Sequence, residues 1–498
     1  MEPRPVCVMM AAATTASTLP RMNSAPSLPS AVRLQALIDH LQTGLLERNA
    51  AVRLALLAAL AGEHVLLIGP PGTAKSELAR RLHRVFAGAR YFERLLTRFS
   101  TPEELFGPLS LKALEDDRYE RLTDGFLPTA GVAFLDEVFK ANSAILNALL
   151  TLLNEREFDN GAGRVATPLI SVVAASNEVP SDEALQAFHD RFLLRVPVAP
   201  VSDAGFADLL QLHAAPSVAA PPPLDAAERA AIRQGRAEVR LGAAALQACV
   251  QLRAWLAERQ LSVSDRRWRQ WLGLMQTAAL TEGRAEIDPL DLWLAPYVAS
   301  PDPERCAALA DWFRIELLQA VPQQAPWLTR AVEAFEKQLD LEQSAEAEPD
   351  GSGAGKLALA QAISGAGRGA ERDPDAAPAA PNMMRLLSRQ LEAQVRRHYS
   401  PVHIAARLAQ LDELLAQTDA RRAEVAARAD ALQAALAGRC WMPPPLQQQL
   451  LGAHAATLQV LDQLQARLRQ CRAGFATLPE DATLPELAPP PPLPLAAG

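Results

Sequence analysis

The feature that most constrains the fold of this chain is an apolar run from His64 to Gly69, which leads into the sequence GPPGTAKS and then a helical pattern. A short apolar run that ends in glycine is typical of a buried strand. In a loop between such a strand and a helix, backbone N–H groups and the positive end of the helix dipole converge on phosphate oxygens. We therefore expect ATP to be bound by Gly69, Pro70, Pro71, Gly72, Thr73, Ala74, Lys75 and Ser76.

Within this loop, Lys75 is expected to contact the β- and γ-phosphates, and Ser76 to give a hydroxyl ligand to Mg²⁺. The chain has only five lysines, so a lysine at this position is more informative than in an ordinary sequence. One residue departs from the usual pattern, because Ala74 stands where a glycine normally precedes the lysine. An ordinary Gly-Pro turn is the alternative interpretation.

Two acids follow a second apolar run, in the sequence Val132-Ala-Phe-Leu-Asp136-Glu137. Burying carboxylates beside a core strand is unfavourable unless they face a metal ion or a cleft. Asp136 is therefore expected to hold Mg²⁺, and Glu137 to accept a proton from an attacking water. A simple strand-ending turn is the alternative, since acids are common in turns.

A third apolar run, Leu169 to Ala175, is followed closely by Asn177. An asparagine at this point can orient a water molecule without adding charge, although it also suits a turn. Further strands are expected at Tyr91–Phe99 and Phe192–Val198, with helices between the strands. Because strands alternate with helices, the pattern predicts an α/β fold with a parallel sheet, and such sheets bind ligands at the carboxyl ends of their strands.

Composition limits the classes of function. With 498 residues and 49% hydrophobic content, the chain is long enough for several domains. Its net charge of −8 gives no support for a nucleic-acid partner. Five scattered cysteines predict neither a disulfide framework nor a zinc site, so the cytoplasm is the expected location. No apolar run reaches the ~18–20 residues of a membrane span, and the first 30 residues are expected to be a disordered leader.

Beyond the α/β pattern the chain changes character. Residues 201–223 contain the proline-rich stretch Pro216–Pro223 and are expected to be a linker, followed by helical patterns to about Leu341. A Gly/Ala/Asp/Pro-rich connector is expected at 345–381. Two long helices, Ile404–Leu436 and Leu446–Leu468, are expected to pair as an antiparallel hairpin, and the tail is rich in proline.

GPPGTAKS, FLDE and AASNE together resemble the MoxR family of AAA+ ATPases, whose phosphate loop tolerates the alanine before lysine. Other segments are similar to the RavA subfamily. They are Leu46-Glu-Arg48, Thr97 to Gly107, Tyr119 to Thr123, Ala144 to Asn147 and Val263 to Trp268. The resemblance is close over roughly Leu34 to Leu292 and fades beyond; Cys440-Trp-Met-Pro is a weak similarity to the family's C-terminal region.

The resemblance implies a P-loop AAA+ αβα core, an all-α lid and an extended α-helical C-terminal module. The expected divisions are a leader at 1–30, the core at 31–200, a linker at 201–223, the lid at 224–300, a helical segment at 301–344, a connector at 345–381, a helical hairpin at 382–476 and a tail at 477–498.

Two arginines gain roles from the resemblance alone. Arg191 is expected to be the arginine finger that reaches the γ-phosphate bound to a neighbouring subunit, with Arg195 as the alternative. Arg266 is expected to be the sensor-2 arginine, which reaches back from the lid to its own subunit's nucleotide, with Arg267 as the alternative. A surface or salt-bridging arginine is the competing interpretation in each case.

The resemblance also implies a homo-hexameric ring, protein clients and a von Willebrand factor A-domain partner. RavA-like proteins can carry a β-rich domain between their C-terminal helices, and here a short segment after Ala345 stands in its place, so partners of that domain are not carried over. Three other functions stay open: a kinase acting on a small molecule, a DNA-associated translocase, and a nucleotide-gated scaffold with little turnover.

Overall fold

The computed structural model describes two compact units of the chain. The first unit comprises Met1–Leu318 with Gly438–Pro444, and the second comprises Gln319–Ala437 with Pro445–Gly498. The described residues are 28–345, apart from 162, 181, 213–218, 301, 321 and 324, then 397–483 and 489–491. Residues 1–27 of the expected leader, nearly all of the expected connector, and much of the expected tail therefore lie outside the described residues.

The first unit is built on a five-stranded parallel sheet, as the alternating pattern predicts. Its strands lie in the order β2-β3-β6-β1-β7. In chain order the strands are β1 Val65–Ile68, β2 Tyr91–Leu95, β3 Val132–Asp136, β6 Ser171–Ser176 and β7 Leu194–Pro197; β4 Glu157–Asp159 and β5 Arg164–Ala166 form a separate antiparallel hairpin. The sequence Asp159-Asn160-Gly161 lies at the turn of that hairpin.

Helices cover this sheet. They are α1 Ala31–Gln42, α2 Asn49–Ala61, α3 Lys75–Leu82, α4 Pro102–Phe106, α5 Leu111–Glu115, α6 Ser143–Glu155, α7 Glu183–His189 and α8 Asp203–Leu210. Every residue of β1 and β6 is buried, which explains their continuous apolar sequences. A core of aliphatic and phenylalanine side chains between β3 and α6 holds this half of the sheet in place.

Several boundaries differ from the sequence expectation. β2 ends at Leu95 rather than Phe99, because the chain turns at Thr97, whose backbone N–H donates to Ser100 Oγ at 3.1 Å. The expected linker at 201–223 contains α8. Ser202 caps that helix, and the Glu47 carboxylate accepts a 2.8 Å hydrogen bond from the Ser202 N–H, which fixes the start of the helix.

The lid follows and is helical, as expected. Its elements are α9 Ala226–Gly235, α10 Ala243–Glu258, α11 Asp265–Thr281, α12 Ala295–Val298 and α13 Pro303–Asp311, with the short parallel strands β8 Arg240–Leu241 and β9 Glu286–Ile287. Asp225 and Glu228 form a capping box at the start of α9. In α11, Trp271 and Met275 are buried, so this stretch is part of the lid core.

Residues 438–444 belong to the first unit although they lie far along the chain. Trp441 is 1% exposed, and its indole N–H donates to Thr281 Oγ1 at 2.8 Å. Arg439 pairs with Asp291 at 3.0 Å, and the Cys440 carbonyl accepts a hydrogen bond from Arg53 of α2. The first unit therefore includes a short segment that the expected helical hairpin at 382–476 does not anticipate.

The second unit is helical, as expected for the C-terminal module. It contains α14 Pro326–Ser344, α15 Pro401–Leu436 and nearly all of α16 Pro444–Ala476. Its core joins Phe335, Leu411, Leu468 and Phe475 from the three helices. Among the described residues, no helix has the length and apolar content needed to cross a membrane.

Candidate nucleotide site

The expected phosphate loop lies between β1 and α3, at the carboxyl end of β1, which pairs with β6 and β7. Gly69 packs so closely on the neighbouring strand end that an added Cβ would lie 2.0 Å from the Val198 carbonyl oxygen. Gly72 has φ +80°, a backbone angle that glycine adopts easily. Ala74 has φ +62°, an angle that is unfavourable for alanine. At position 74, alanine therefore replaces the usual glycine at a place where the backbone is left-handed.

Lys75 opens α3 and folds back over the loop. Its Nζ donates to the carbonyl oxygens of Gly69 and Pro70 at 2.7 and 2.8 Å. Burial lowers the pKa of Lys75, whereas the nearby Asp136 and Glu137 carboxylates raise it. The ammonium thus sits between carbonyl dipoles and two carboxylates, at a place where phosphate oxygens can replace the carbonyls.

Asp136 ends β3, the strand against which α3 packs, and Glu137 follows it directly. Asp136 Oδ1 accepts a 3.0 Å hydrogen bond from the Glu137 N–H, which orients the first carboxylate. Glu137 itself has φ +52°, so its backbone turns sharply as the strand ends. The oxygen atoms of Ser76 and Asp136 are of the hard type that Mg²⁺ prefers. Ser76 lies in the first turn of α3, which packs on β3, and Asp136 is the last residue of β3.

Asn177 follows β6, next to β3 in the sheet, and meets Glu137. Its amide nitrogen donates to Glu137 Oε1. Lys140 binds the other side of the same carboxylate, with Nζ 3.2 Å from Oε2. The structure therefore brings together Lys75, Asp136, Glu137 and Asn177 at one edge, as expected of strands whose carboxyl ends meet.

Arg191 lies at the opposite edge of the sheet, between α7 and the amino end of β7. It is half-buried, and among the described residues its Nε has no hydrogen-bond partner. Arg195, the alternative, is 8% exposed and donates to the Ser300 carbonyl at 3.2 Å, and burial lowers its pKa to about 9. The Arg195 Nε likewise lacks a partner among the described residues, but its two other guanidinium nitrogens bind the Ser300 carbonyl and Asp190. Arg195 is therefore the more firmly held of the two.

Arg266 contacts the end of α6 rather than the phosphate loop, and its expected reach to its own subunit's nucleotide stays a prediction. It is exposed and donates to Asn154 Oδ1 at 2.7 Å, at the end of α6. Burial raises the pKa of Glu63, which precedes β1, to about 7, and Arg266 is one of the nearby arginines that oppose this shift. The phosphate loop follows the other end of β1, about 13 Å along a four-residue strand.

Arg267, the alternative to Arg266, is a structural residue. It is 3% exposed, and its guanidinium donates to the carbonyl oxygens of Val298, Phe192 and Leu193 at 2.7–2.8 Å. It also pairs with Asp190 at 2.8 Å. Its donors hold the lid to the start of β7 and are not available to a nucleotide.

One residue at the site received no role from its sequence. Arg48 is 7% exposed, and its Nε donates to the Thr73 carbonyl oxygen in the phosphate loop at 3.0 Å. Sequence offers one signal for it: an arginine precedes α2 at the N-cap position, where Ser, Thr, Asp or Asn is usual.

The fold and the site define a P-loop AAA+ module, because a parallel α/β core with a phosphate loop is followed by a helical lid. A family profile described as the MoxR domain in MoxR-vWA-beta-propeller ternary systems matches residues 32–220. A second profile, the AAA lid domain, matches residues 245–313. A solved structure from Cytophaga hutchinsonii has a TM-score of 0.46 and 16% identity, and covers 56% of this chain and 90% of its own.

Among curated proteins, two uncharacterized proteins of Methanocaldococcus jannaschii are similar. The first is 39% identical over 267 residues, covering 53% of this chain and 70% of the relative. The second is 37% identical over 276 residues, covering 54% and 72%. Protein MoxR of Paracoccus denitrificans is 32% identical over 154 residues, covering 30% and 44%. This chain belongs to the MoxR family of AAA+ ATPases.

Proposed function

We propose that this chain binds ATP with Mg²⁺ and hydrolyses it as an oligomeric, RavA-like AAA+ motor that remodels protein complexes. The observation that supports hydrolysis is the meeting of Lys75, Asp136, Glu137 and Asn177 at one edge of the sheet. A cation for phosphates, a carboxylate for a metal ion and a second carboxylate beside an amide are the groups that phosphoanhydride hydrolysis requires.

The proposed reaction is attack of water on the γ-phosphorus, with ADP leaving and the water proton passing to Glu137. Lys75 and the loop N–H groups bind the phosphates, and Asn177 orients the water. Ser76 and Asp136 would hold Mg²⁺, which neutralises charge on the phosphate oxygens when bound. Asn177 and Lys140 each engage one oxygen of the Glu137 carboxylate, and each oxygen keeps a second lone pair that can accept the proton.

Assembly is proposed because Arg191 lies far from its own phosphate loop. It occupies the edge of the core opposite that loop. A nucleotide that Arg191 touches must then belong to a neighbouring subunit. A head-to-tail arrangement repeats one such contact around a closed ring, and the proposed ring is a homo-hexamer.

The proposed partners follow from the family. The matching profile is named for systems that pair a MoxR domain with a von Willebrand factor A protein, which supports a partner of that kind. The proposed clients are proteins, and the cytoplasm is the proposed location. The four cysteines described in the structure are free thiols, which agrees with a reducing compartment.

ATP binding is tested directly by replacing Lys75 with methionine. We expect ATP affinity to fall by about tenfold or more, because the methionine side chain fills similar space without the charge that meets the phosphates. Equilibrium binding of a fluorescent ATP analogue with Mg²⁺ measures this. Lys112→Met is the matched control, since Lys112 is an exposed lysine of α5 that should leave affinity unchanged. Equal affinity of Lys75→Met and the unaltered chain would contradict the proposed site.

A further inference from the structure

The phosphate loop holds an alanine in a backbone conformation that favours glycine. Ala74 has φ +62° and ψ +26°, immediately before Lys75. In this region the Cβ of an L-residue crowds the neighbouring carbonyl, and only glycine escapes that crowding. Some contact from outside the residue must therefore keep the Thr73–Ala74 peptide in place, since the orientation of that peptide sets φ of Ala74.

Arg48 makes such a contact. Its Nε donates to the Thr73 carbonyl oxygen at 3.0 Å, and that carbonyl belongs to the peptide that precedes Ala74. The Thr73 hydroxyl binds the other side of the turn, donating to the Pro70 carbonyl at 3.0 Å. The Thr73–Ala74 peptide is thus held by the charged Arg48 side chain, while the Thr73 side chain bonds across the loop to Pro70.

Contacts of the neighbouring Glu47 hold Arg48 in position. Glu47 has φ +55°, and its carboxylate accepts hydrogen bonds from both the N–H and the hydroxyl of Ser202. Arg48 Nη1 returns to the Glu47 carbonyl at 3.1 Å. Although Arg48 occupies the N-cap position of α2, its side chain makes no capping bond to that helix. The buried side chain therefore serves the phosphate loop rather than the helix that it precedes.

We propose that Arg48 is a positioning residue that holds the phosphate loop in its nucleotide-binding form and thereby compensates for alanine in place of glycine at position 74. This inference rests on the proposed function, because the loop is assigned to nucleotide phosphates. It gives the Leu46-Glu-Arg48 segment a role at the nucleotide site.

A double-mutant cycle on the full chain tests the compensation. The variants are Arg48→Met, Ala74→Gly and the two together, measured for affinity towards a fluorescent ATP analogue with Mg²⁺. We expect Arg48→Met to weaken binding by about tenfold, as for loss of a buried charged hydrogen bond, and Ala74→Gly alone to change it less than about twofold. In the Ala74→Gly background, Arg48→Met is expected to weaken binding by no more than about threefold.

Arg53→Met is the matched control, since Arg53 is a buried arginine of α2 that bonds to Asn49 and not to the loop. Glycine at position 74 should rescue nothing in that background. Arg48→Lys keeps a positive donor and should retain more affinity than Arg48→Met. If Arg48→Met costs the same affinity with glycine at position 74 as with alanine, the compensation is refuted.

Thermal unfolding of the same variants without nucleotide separates this inference from the proposed function. The melting temperature should drop less for Arg48→Met when position 74 is glycine. If that coupling is present while the unaltered chain binds no ATP analogue, the proposed function fails and the role of Arg48 in the loop stands. Additive melting shifts, with no coupling in binding, would overturn the role of Arg48.

Discussion

Replacement of Glu137 by glutamine is expected to lower ATP turnover by about 10²-fold or more while leaving ATP affinity nearly unchanged. Glutamine keeps the size of the side chain but takes no proton from the attacking water. Lys75 and the loop N–H groups, the proposed phosphate ligands, are untouched by the substitution. The measurement is steady-state release of phosphate beside equilibrium binding of ATP.

Glu178→Gln is the matched control for this variant. Glu178 follows Asn177 at the same edge of the sheet and is exposed, so the control removes the same charge without removing the proposed base. We expect its turnover to stay within about twofold of the unaltered chain. If Glu137→Gln hydrolyses ATP as fast as this control, Glu137 is not the base.

The second large effect is expected at Trp441→Ala, which should destabilise the first unit by about 3–5 kcal/mol. The indole is 1% exposed, so its removal leaves a large cavity, and Thr281 loses the 2.8 Å hydrogen bond from the indole N–H. The corresponding fall in melting temperature is on the order of 10 °C for a unit of this size. Thermal unfolding of the full chain, followed by circular dichroism, measures it.

Because the chain has two compact units, the melting experiment needs a control in each. Trp441→Phe keeps the ring in place and loses mainly the hydrogen bond, so it should cost only about 1 kcal/mol. Leu468→Ala empties a fully buried position in the core of the second unit. If Trp441→Ala and Leu468→Ala lower the same transition and leave the other unchanged, residues 438–444 do not belong to the first unit.

The sheet was readable from sequence because both faces of its strands are covered. β1 and β6 are buried at every residue, so their sequences are nearly all apolar and stand out from their surroundings. The polar residues at strand ends, Asp136 at the end of β3 and Asn177 directly after β6, were readable for the same reason. Parallel strands also fix which strand ends meet, so the sequence predicts a site at their carboxyl ends, where Glu137 and Asn177 are in contact.

Other features depended on contacts between distant parts of the chain. Helix α8 has no buried residue of its own, and its start is fixed by Glu47, more than 150 residues earlier in the chain. The position of Arg266 depends on how the lid packs against α6, which no local pattern encodes. The burial of Trp441 depends on Thr281 in the lid, so sequence near residue 441 shows only a break between helices.

Ala74 was only partly predictable from sequence. Its departure from the usual glycine was visible in the sequence, but its effect on the backbone needed a measured φ of +62°. The contact from Arg48 to Thr73 joins positions 25 residues apart, across α2 and β1. Local reasoning could therefore locate the strain and could not identify what relieves it.

The proposed completion of each active site by a neighbouring subunit is tested by mixing Arg191→Ala with Glu137→Gln, each of which we expect to be inactive alone. Arg191→Ala keeps the proposed base and lacks the proposed finger, whereas Glu137→Gln keeps the proposed finger and lacks the proposed base. In an equimolar mixture that exchanges subunits, about one quarter of the sites would combine an intact Glu137 with a neighbour's Arg191 in a head-to-tail ring. We predict that the mixture regains ATP turnover towards that fraction of the unaltered level, and that the turnover per chain of the unaltered protein rises with concentration. The proposal would be contradicted if turnover in the mixture were no greater than the average of the two variants alone, while Arg191→Ala turned over ATP normally and no dependence on concentration was seen. That outcome would favour a P-loop enzyme that acts as a monomer.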